Sequence, residues 1–412
     1  MPYVNVPHHS QLHDPGGDKD ASGAGNSEGL RIYYQLFGRG ETKVLLIAGL
    51  ACTLHVWKPQ IVGLCGADVP NGSQDSKNLN GEFQEEKSSK VDQDVECGTD
   101  DDGNRQTGVQ VCAFDNRGVG RSSVPTSKSE YTTTIMATDA KALLDHLGWK
   151  KVHICGHSMG GMIACKLAVM VPGRVASLAL ISVTGGGYEC LPKMNYTSLS
   201  IAFRFIRAKS LQERALVDLD THYTKDYLNA VVGKVERKTV LHKEYTNNLV
   251  ISGMQPKYGF NGHAHACWMH CTSASEIKCI RSSRFPIVVV HGKGDVIAQI
   301  RHGRNLASRL SPLCQMVELP GGHLVTHENN IEANQVLVNL IQAGNYNIRH
   351  FESGNPLADM EIREENRFLV FLLGVCKQCL PEWCSWHYLI RLTCWLWGQI
   401  LPKCWFKYVE LQ

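Results

Sequence analysis

The sequence lacks most of the features that would place it in a specialised class. It has no charge excess: 42 Lys and Arg face 39 Asp and Glu, a formal net charge of +3, which gives no nucleic-acid surface. It has no internal repeat, so solenoids and propellers are excluded. The first 28 residues contain no apolar run, which reads against a signal peptide, and Asp14, Asp18 and Asp20 read against a transit peptide. The 16 cysteines are scattered, and Cys112 and Cys155 fall inside apolar runs. They read as reduced thiols rather than a disulfide framework, so an intracellular, cytoplasmic location is expected. Residues 66–108 hold almost nothing aromatic but many carboxylates, among them Glu85, Glu86, Asp92, Asp94 and Asp100 to Asp102. That composition buries too little apolar surface to offset ordering, so an acidic disordered insertion is expected there. Residues 1–28 read as a disordered tail for the same reason. The His9 and Asp14 spacing seen in some acyltransferases reads as a chance match.

What is present is an alternation. Hydrophobic residues make up 43% of the 412, enough for one large domain with added segments, or for two domains. Apolar strands are predicted at 30–37, 43–48, 109–114, 152–155, 175–183, 285–291 and 314–319. Helical patterns separate them, notably at 131–147, 162–171, 299–310 and 330–343. Continuous apolar strands alternating with helices predict an α/β fold with a mostly parallel central sheet and helices on both faces. The alternation breaks after the strand ending near Val183. Residues 184–276 are largely helical in pattern and read as a cap inserted there.

The organising stretch is Gly156-His157-Ser158-Met159-Gly160, between an apolar strand and a helix. In that context G-x-S-x-G forms a sharp turn that lifts the serine hydroxyl above the sheet. Gly156 and Gly160 serve it because a side chain would clash. A serine hydroxyl is a poor nucleophile without a base and a group to hold the base. Two loops at strand C-termini supply both: Asp295 after FPIVVVH and His323 after CQMVEL. In this reading His323 takes the proton of Ser158, and Asp295 orients the imidazole and stabilises its cation. The order Ser158, Asp295, His323 suits this architecture. His327 is the competing base. His157 reads as packing. Asp115 and Arg117 read as turn-forming and structural. The oxyanion of the tetrahedral intermediate needs two donors, assigned to the backbone N–H groups of Leu50 and Met159, with Gly49 letting the first loop bend close.

These pieces together resemble the α/β-hydrolase superfamily, in its lipase- and esterase-like serine hydrolase branch. The matching segments are Gly49-Leu50, Asp115 to Ser122, Gly156 to Gly161, Gly292 to Asp295 and Gly321 to His323. They span roughly residues 28–344. Many members begin the oxyanion loop with His-Gly; here Ala48 precedes Gly49, so a histidine that often braces the loop is missing. Members with an aspartate nucleophile include dehalogenases and epoxide hydrolases, and Ser158 stands against both. The resemblance implies a serine hydrolase cleaving carboxylic esters through an acyl-enzyme, with no cofactor. A small-molecule ester, apolar or acyl-lipid, is the expected substrate. An acyltransferase or thioesterase of the same fold is the alternative, and a ligand-binding protein without turnover is the rival from another class.

Two further features stand apart. His263, His265, Cys267, His270 and Cys271 cluster, but their spacing matches no common zinc finger, so packing around Trp268 is expected and no metal. Cys376 and Cys379 likewise form a lone pair. The last segment, 346–412, is hydrophobic and holds five of the eight tryptophans: Trp383, Trp386, Trp395, Trp397 and Trp405. Residues 383–401 are almost long enough to span a bilayer, but Arg391 sits near the centre, where a charge costs ~2.5–3.5 kcal/mol. Peripheral membrane contact through this extension is therefore expected, with Cys384, Cys394 and Cys404 as candidate acylation sites.

Overall fold

A computed structural model describes residues 2–8, 29–67 and 108–352, apart from positions 194 and 253. The expected acidic insertion, most of the amino-terminal tail and the Trp-rich extension lie outside these residues. So do Cys376, Cys379 and the three candidate acylation cysteines.

Ten strands are present among the described residues. They are β1 (Tyr3–Val6), β2 (Leu30–Phe37), β3 (Thr42–Ile47), β4 (Val109–Phe114), β5 (Val152–His157), β6 (Val175–Ile181), β7 (Val231–Val232), β8 (Val235–Glu236), β9 (Ile287–Gly292) and β10 (Cys314–Leu319). Eight of them form one sheet in the order β1-β2-β4-β3-β5-β6-β9-β10. From β4 to β10 every pairing is parallel; β2 joins β4 antiparallel, and β1 joins β2 antiparallel. The central strands β5, β6 and β9 are buried along their whole length, as parallel strands covered on both faces must be.

Helices α1 (Lys58–Cys65), α2 (Thr133–His146) and α3 (Met159–Met170) follow strands of the sheet. Between β6 and β9 come α4 (Tyr196–Arg207), α5 (Leu211–His222), α6 (Lys225–Asn229), the β7–β8 hairpin, α7 (Arg237–Ser252), α8 (Lys257–Met269) and α9 (Ala274–Ser282). Then come α10 (Ile300–Leu310), α11 (Val325–Glu328) and α12 (Asn330–Glu352). Two apolar clusters sandwich the sheet. On one face Leu45, Ile47 and Ile154 pack with Leu143, Ile163 and Leu306. On the other Leu46, Cys155 and Val290 pack with Trp57, Ile61 and Leu340. At about 25 cal/mol per Å² of apolar surface removed from water, these two layers are the main source of stability.

One expectation needs correction. Residues 1–28 do not all read as a tail, because Tyr3–Val6 is an edge strand of the main sheet, with Val4 opposite Ile32 and Val6 opposite Leu30. The reason is period two: Val4 and Val6 are buried while Asn5 is exposed. The last helix also runs on past Ala343, to Glu352. Among the described residues no helix is long and apolar enough to cross a membrane.

Candidate active site

The turn between β5 and α3 holds Ser158 at φ 54° and ψ −120°. A left-handed φ on a non-glycine residue costs about 1–3 kcal/mol and persists only where the surroundings impose it. Here they do. The Ser158 N–H donates to the Ile181 carbonyl at 2.8 Å, and the Ser158 carbonyl accepts from the Gly161 and Met162 N–H groups at 2.9 and 3.3 Å. A Cβ on Gly156 would overlap the carbonyl of Gly160, and one on Gly160 would overlap that of Ile47. The Ser158 side chain makes no capping bond to α3, so its hydroxyl is not spent on the helix it precedes. It lines a cavity together with Leu50 and His323. Met159 opens α3 directly beyond it.

Asp295 sits in the turn after β9. Its Oδ1 accepts from the N–H groups of Ile297 and Ala298 at 2.8 and 2.9 Å, which fixes the carboxylate. Its Oδ2 lies 2.8 Å from Nδ1 of His323, on the loop after β10. A carboxylate only accepts, so the Nδ1–H of His323 donates to it, and in the neutral imidazole this tautomer leaves Nε2 as the acceptor. Both side chains are buried. The His323 carbonyl is held twice, by the Ser182 hydroxyl at 2.8 Å and by the Nε2–H of His157 at 3.0 Å. The neighbouring Gly322 N–H donates to Glu328 Oε1 at 2.7 Å. The same carboxylate accepts the N–H and hydroxyl of Thr224, the N-cap of α6, at 3.0 and 2.6 Å. Glu328 thus ties the histidine loop to the helical segment above the sheet.

The other histidines are sorted by their partners. His327, the competing base, is occupied: its Nε2–H donates to the Val56 carbonyl at 2.6 Å and its Nδ1 accepts from the Tyr223 hydroxyl at 2.9 Å. Burial pushes it down to about 4. His157 does more than pack. Beyond its bond to the His323 carbonyl, its ring stands edge-on to that of His323, with centroids 4.8 Å apart. Burial, with the His323 ring beside it, pulls its pKa well below the usual histidine range. His222, which the sequence did not single out, ends α5 and lines the cavity, 5.8 Å from the His323 ring. Its Nδ1–H is spent on the Asp218 carbonyl at 2.6 Å. Asp115 and Arg117 are structural, as expected. Asp115 accepts the N–H groups of Leu54 and Arg121, and Arg117 is buried in a bidentate pair with Asp139 at 2.7 and 2.6 Å.

The His and Cys cluster overturns a different expectation. It does not pack around Trp268, which is 54% exposed. Its anchor is His263, fully buried on α8. The Nε2–H of His263 donates to the Arg117 carbonyl at 2.6 Å. Its Nδ1 accepts from Gln255 at 3.1 Å and from the Ala51 N–H at 3.3 Å. Burial lowers its pKa to about 4, so it stays neutral at pH 7. Ala51 follows Leu50 and has a left-handed φ of 61°. A histidine from α8 therefore braces the 49–51 turn, where no neighbouring histidine is available in sequence. Among the described residues no group of three or more His, Cys, Asp or Glu side chains is placed to hold a metal ion.

The cavity has a volume of about 170 Å³. Its lining also includes Met162, Cys190, Cys267 and Ile297. A half-buried hydroxyl that shares a cavity with a buried imidazole bonded to a carboxylate is a set of groups that can activate the hydroxyl and hold an imidazolium.

Comparison with known proteins bears on the fold. A family model described as alpha/beta hydrolase fold matches residues 97–330. A putative carbamate hydrolase, RutD, of Azorhizobium caulinodans is 27% identical over 151 residues, 37% of this chain and 40% of that protein. Epoxide hydrolase 4 of Homo sapiens is 38% identical over 73 residues, 18% of this chain and 20% of that protein. The chain thus spans two fifths or less of the length of these curated relatives. Among solved structures, an enol-lactonase from Burkholderia xenovorans superposes with a TM-score of 0.53 at 20% identity, covering 76% of this chain and 97% of that one. A thermophilic esterase from Thermogutta terrifontis gives 0.53 at 20% identity, covering 78% and 96%. The chain belongs to the alpha/beta hydrolase fold family.

Proposed function

We propose that this chain is a serine hydrolase that cleaves carboxylic esters through an acyl-enzyme on Ser158. The observation that carries the reading is the 2.8 Å bond between Asp295 Oδ2 and His323 Nδ1, beside a cavity that Ser158 and His323 line together. Ser158 Oγ attacks the ester carbonyl while His323 Nε2 takes its proton. The imidazolium, stabilised by Asp295, then gives that proton to the departing alkoxide. Water repeats the two steps on the acyl-enzyme and releases the acid. The oxyanion is taken by the N–H groups of Leu50 and Met159.

The mostly apolar wall supports an apolar acyl group. A volume of about 170 Å³ is close to that of a cavity that holds a benzene-sized molecule, which favours short acyl chains. The test is labelling with a fluorophosphonate, comparing the native protein with Ser158→Ala and His323→Ala. Labelling lost in both variants supports the reading. A folded native protein that stays unlabelled refutes it. An ester series graded by acyl length should then peak at short chains. Carbamates are the second reading, motivated by the relative named for them. A carbamate would leave a slowly hydrolysed carbamoyl-serine, seen as a burst of one product per enzyme followed by slow turnover. Added alcohol acceptors distinguish transfer from hydrolysis by their ester products.

A further inference from the structure

Helix α4 turns most of its large apolar residues outward. Its half-buried side is mixed, with Ser198, Ser200, Ile201, Arg204 and Phe205. Arg204 meets Asp220 of α5 at 2.7 Å, and Phe205 lies under the guanidinium of Arg214 and 6.3 Å from the ring of Phe260. The residues it turns to solvent are large and apolar: Tyr196, Leu199, Phe203 and Ile206, exposed by 87, 54, 59 and 81%. At about 100° per residue these four and Ala202 share one arc of roughly 120°. No residue of the helix is buried. An apolar arc of this size on a protein surface marks an interaction site.

Charge identifies the partner. Besides Arg204, which is paired with Asp220, positions 191 to 210 carry Lys193, Arg207 and Lys209 and no Asp or Glu. The Arg207 guanidinium lies 5.2 Å from the centre of the Phe203 ring, so a cation stands at the rim of the apolar arc. An apolar arc with basic residues at its edge suits a helix lying in the plane of a lipid interface, its arc among acyl chains and its cations at the phosphates. A second copy is a poor occupant. A symmetric contact would set this basic rim against itself, and like charges across an interface cost affinity. We propose that α4 docks the protein on an anionic phospholipid surface. The helix begins six residues after Cys190, which lines the cavity.

The experiment uses the full chain and phosphatidylcholine vesicles with and without phosphatidylserine. Partition is measured by sedimentation, and amide hydrogen exchange of residues 196–207 is followed by mass spectrometry. The expected result is partition that grows with phosphatidylserine and slows exchange in α4. Phe203→Ser with Ile206→Ser should lower the partition coefficient roughly tenfold per residue. Arg207→Glu with Lys209→Glu should lower it by about tenfold or more on anionic vesicles and leave neutral vesicles unaffected. All four positions are exposed, so melting midpoints should match the native protein. No partition, partition without protection of α4, or partition unchanged in both variants overturns the proposal. Protection that rises with protein concentration in the absence of lipid also overturns it, and assigns the face to a second copy. None of these outcomes depends on whether Ser158 reacts.

Discussion

The bond between His263 and the Ala51 N–H makes a quantitative demand. His263→Ala removes a donor 2.6 Å from the Arg117 carbonyl and an acceptor shared by Gln255 at 3.1 Å and Ala51 at 3.3 Å. Three polar groups lose their partner. Each unsatisfied buried group costs about 1–3 kcal/mol, water recovers part of this at the half-buried Gln255, and the ring leaves a small void. A stability loss of roughly 3–5 kcal/mol follows. The catalytic effect is separate. Ala51 is held at φ 61° next to Leu50, whose N–H is one proposed oxyanion donor. Complete loss of such a donor costs ~100–1,000-fold in rate. Loosening its support should cost about tenfold in kcat, or ~1.4 kcal/mol in the barrier, with KM within about twofold. The assay is ester hydrolysis at a temperature where near-UV circular dichroism shows both proteins folded. His263→Gln, which keeps a donor and an acceptor, should recover most of the rate. A folded His263→Ala protein with native kcat would refute the argument.

Other outcomes follow from the same geometry. His153, His263 and His327 are each pulled down to about 4, and His270 to about 3, mainly by burial, from an ordinary 6.5. Between about pH 6.5 and 4 the unfolded chain binds these protons and the folded chain does not, so stability falls as pH falls, by up to about 1.4 kcal/mol per pH unit for each histidine. Urea melts across that window should show it, and a flat profile would contradict the burial. Asp295→Asn should preserve the fold but lower kcat by ~10³–10⁴-fold, because the His323 tautomer is no longer enforced; retention of more than a tenth of the activity would remove Asp295 from its role. Gly160→Ala should cost about 2–4 kcal/mol in thermal or urea unfolding, since the new methyl meets the Ile47 carbonyl. Glu328→Gln trades three charge-assisted bonds for weaker ones and should cost about 1–3 kcal/mol in urea unfolding with a reduced kcat.

The parts of the protein visible in sequence are those written in short-range patterns. A strand such as Val152–His157 is apolar throughout because both its faces are covered, and the glycines that follow have no other use than the turn around Ser158. Asp295 and His323 stand out in sequence because each follows an apolar strand directly, and the structure brings the two within 2.8 Å. What was hidden depends on contacts between distant residues. Val4 and Val6 become an edge strand only because Leu30 and Ile32 wait beside them. His263 lies more than two hundred residues from Ala51, and in sequence it looked like one member of a metal-like cluster. His222 and Glu328 gave no signal either, since an isolated imidazole or carboxylate on a helix is normally solvated. The outward arc of α4 has ordinary amphipathic spacing, and nothing in that spacing says which side faces the core.

Glu328 has a consequence for how the site is used. One carboxylate holds both Gly322, next to the base, and Thr224, at the start of α6. Any lifting of α6 from the sheet strips two of its three donors and leaves the histidine loop on its remaining ties. A single side chain thus couples the placement of α6 to that of the loop carrying His323.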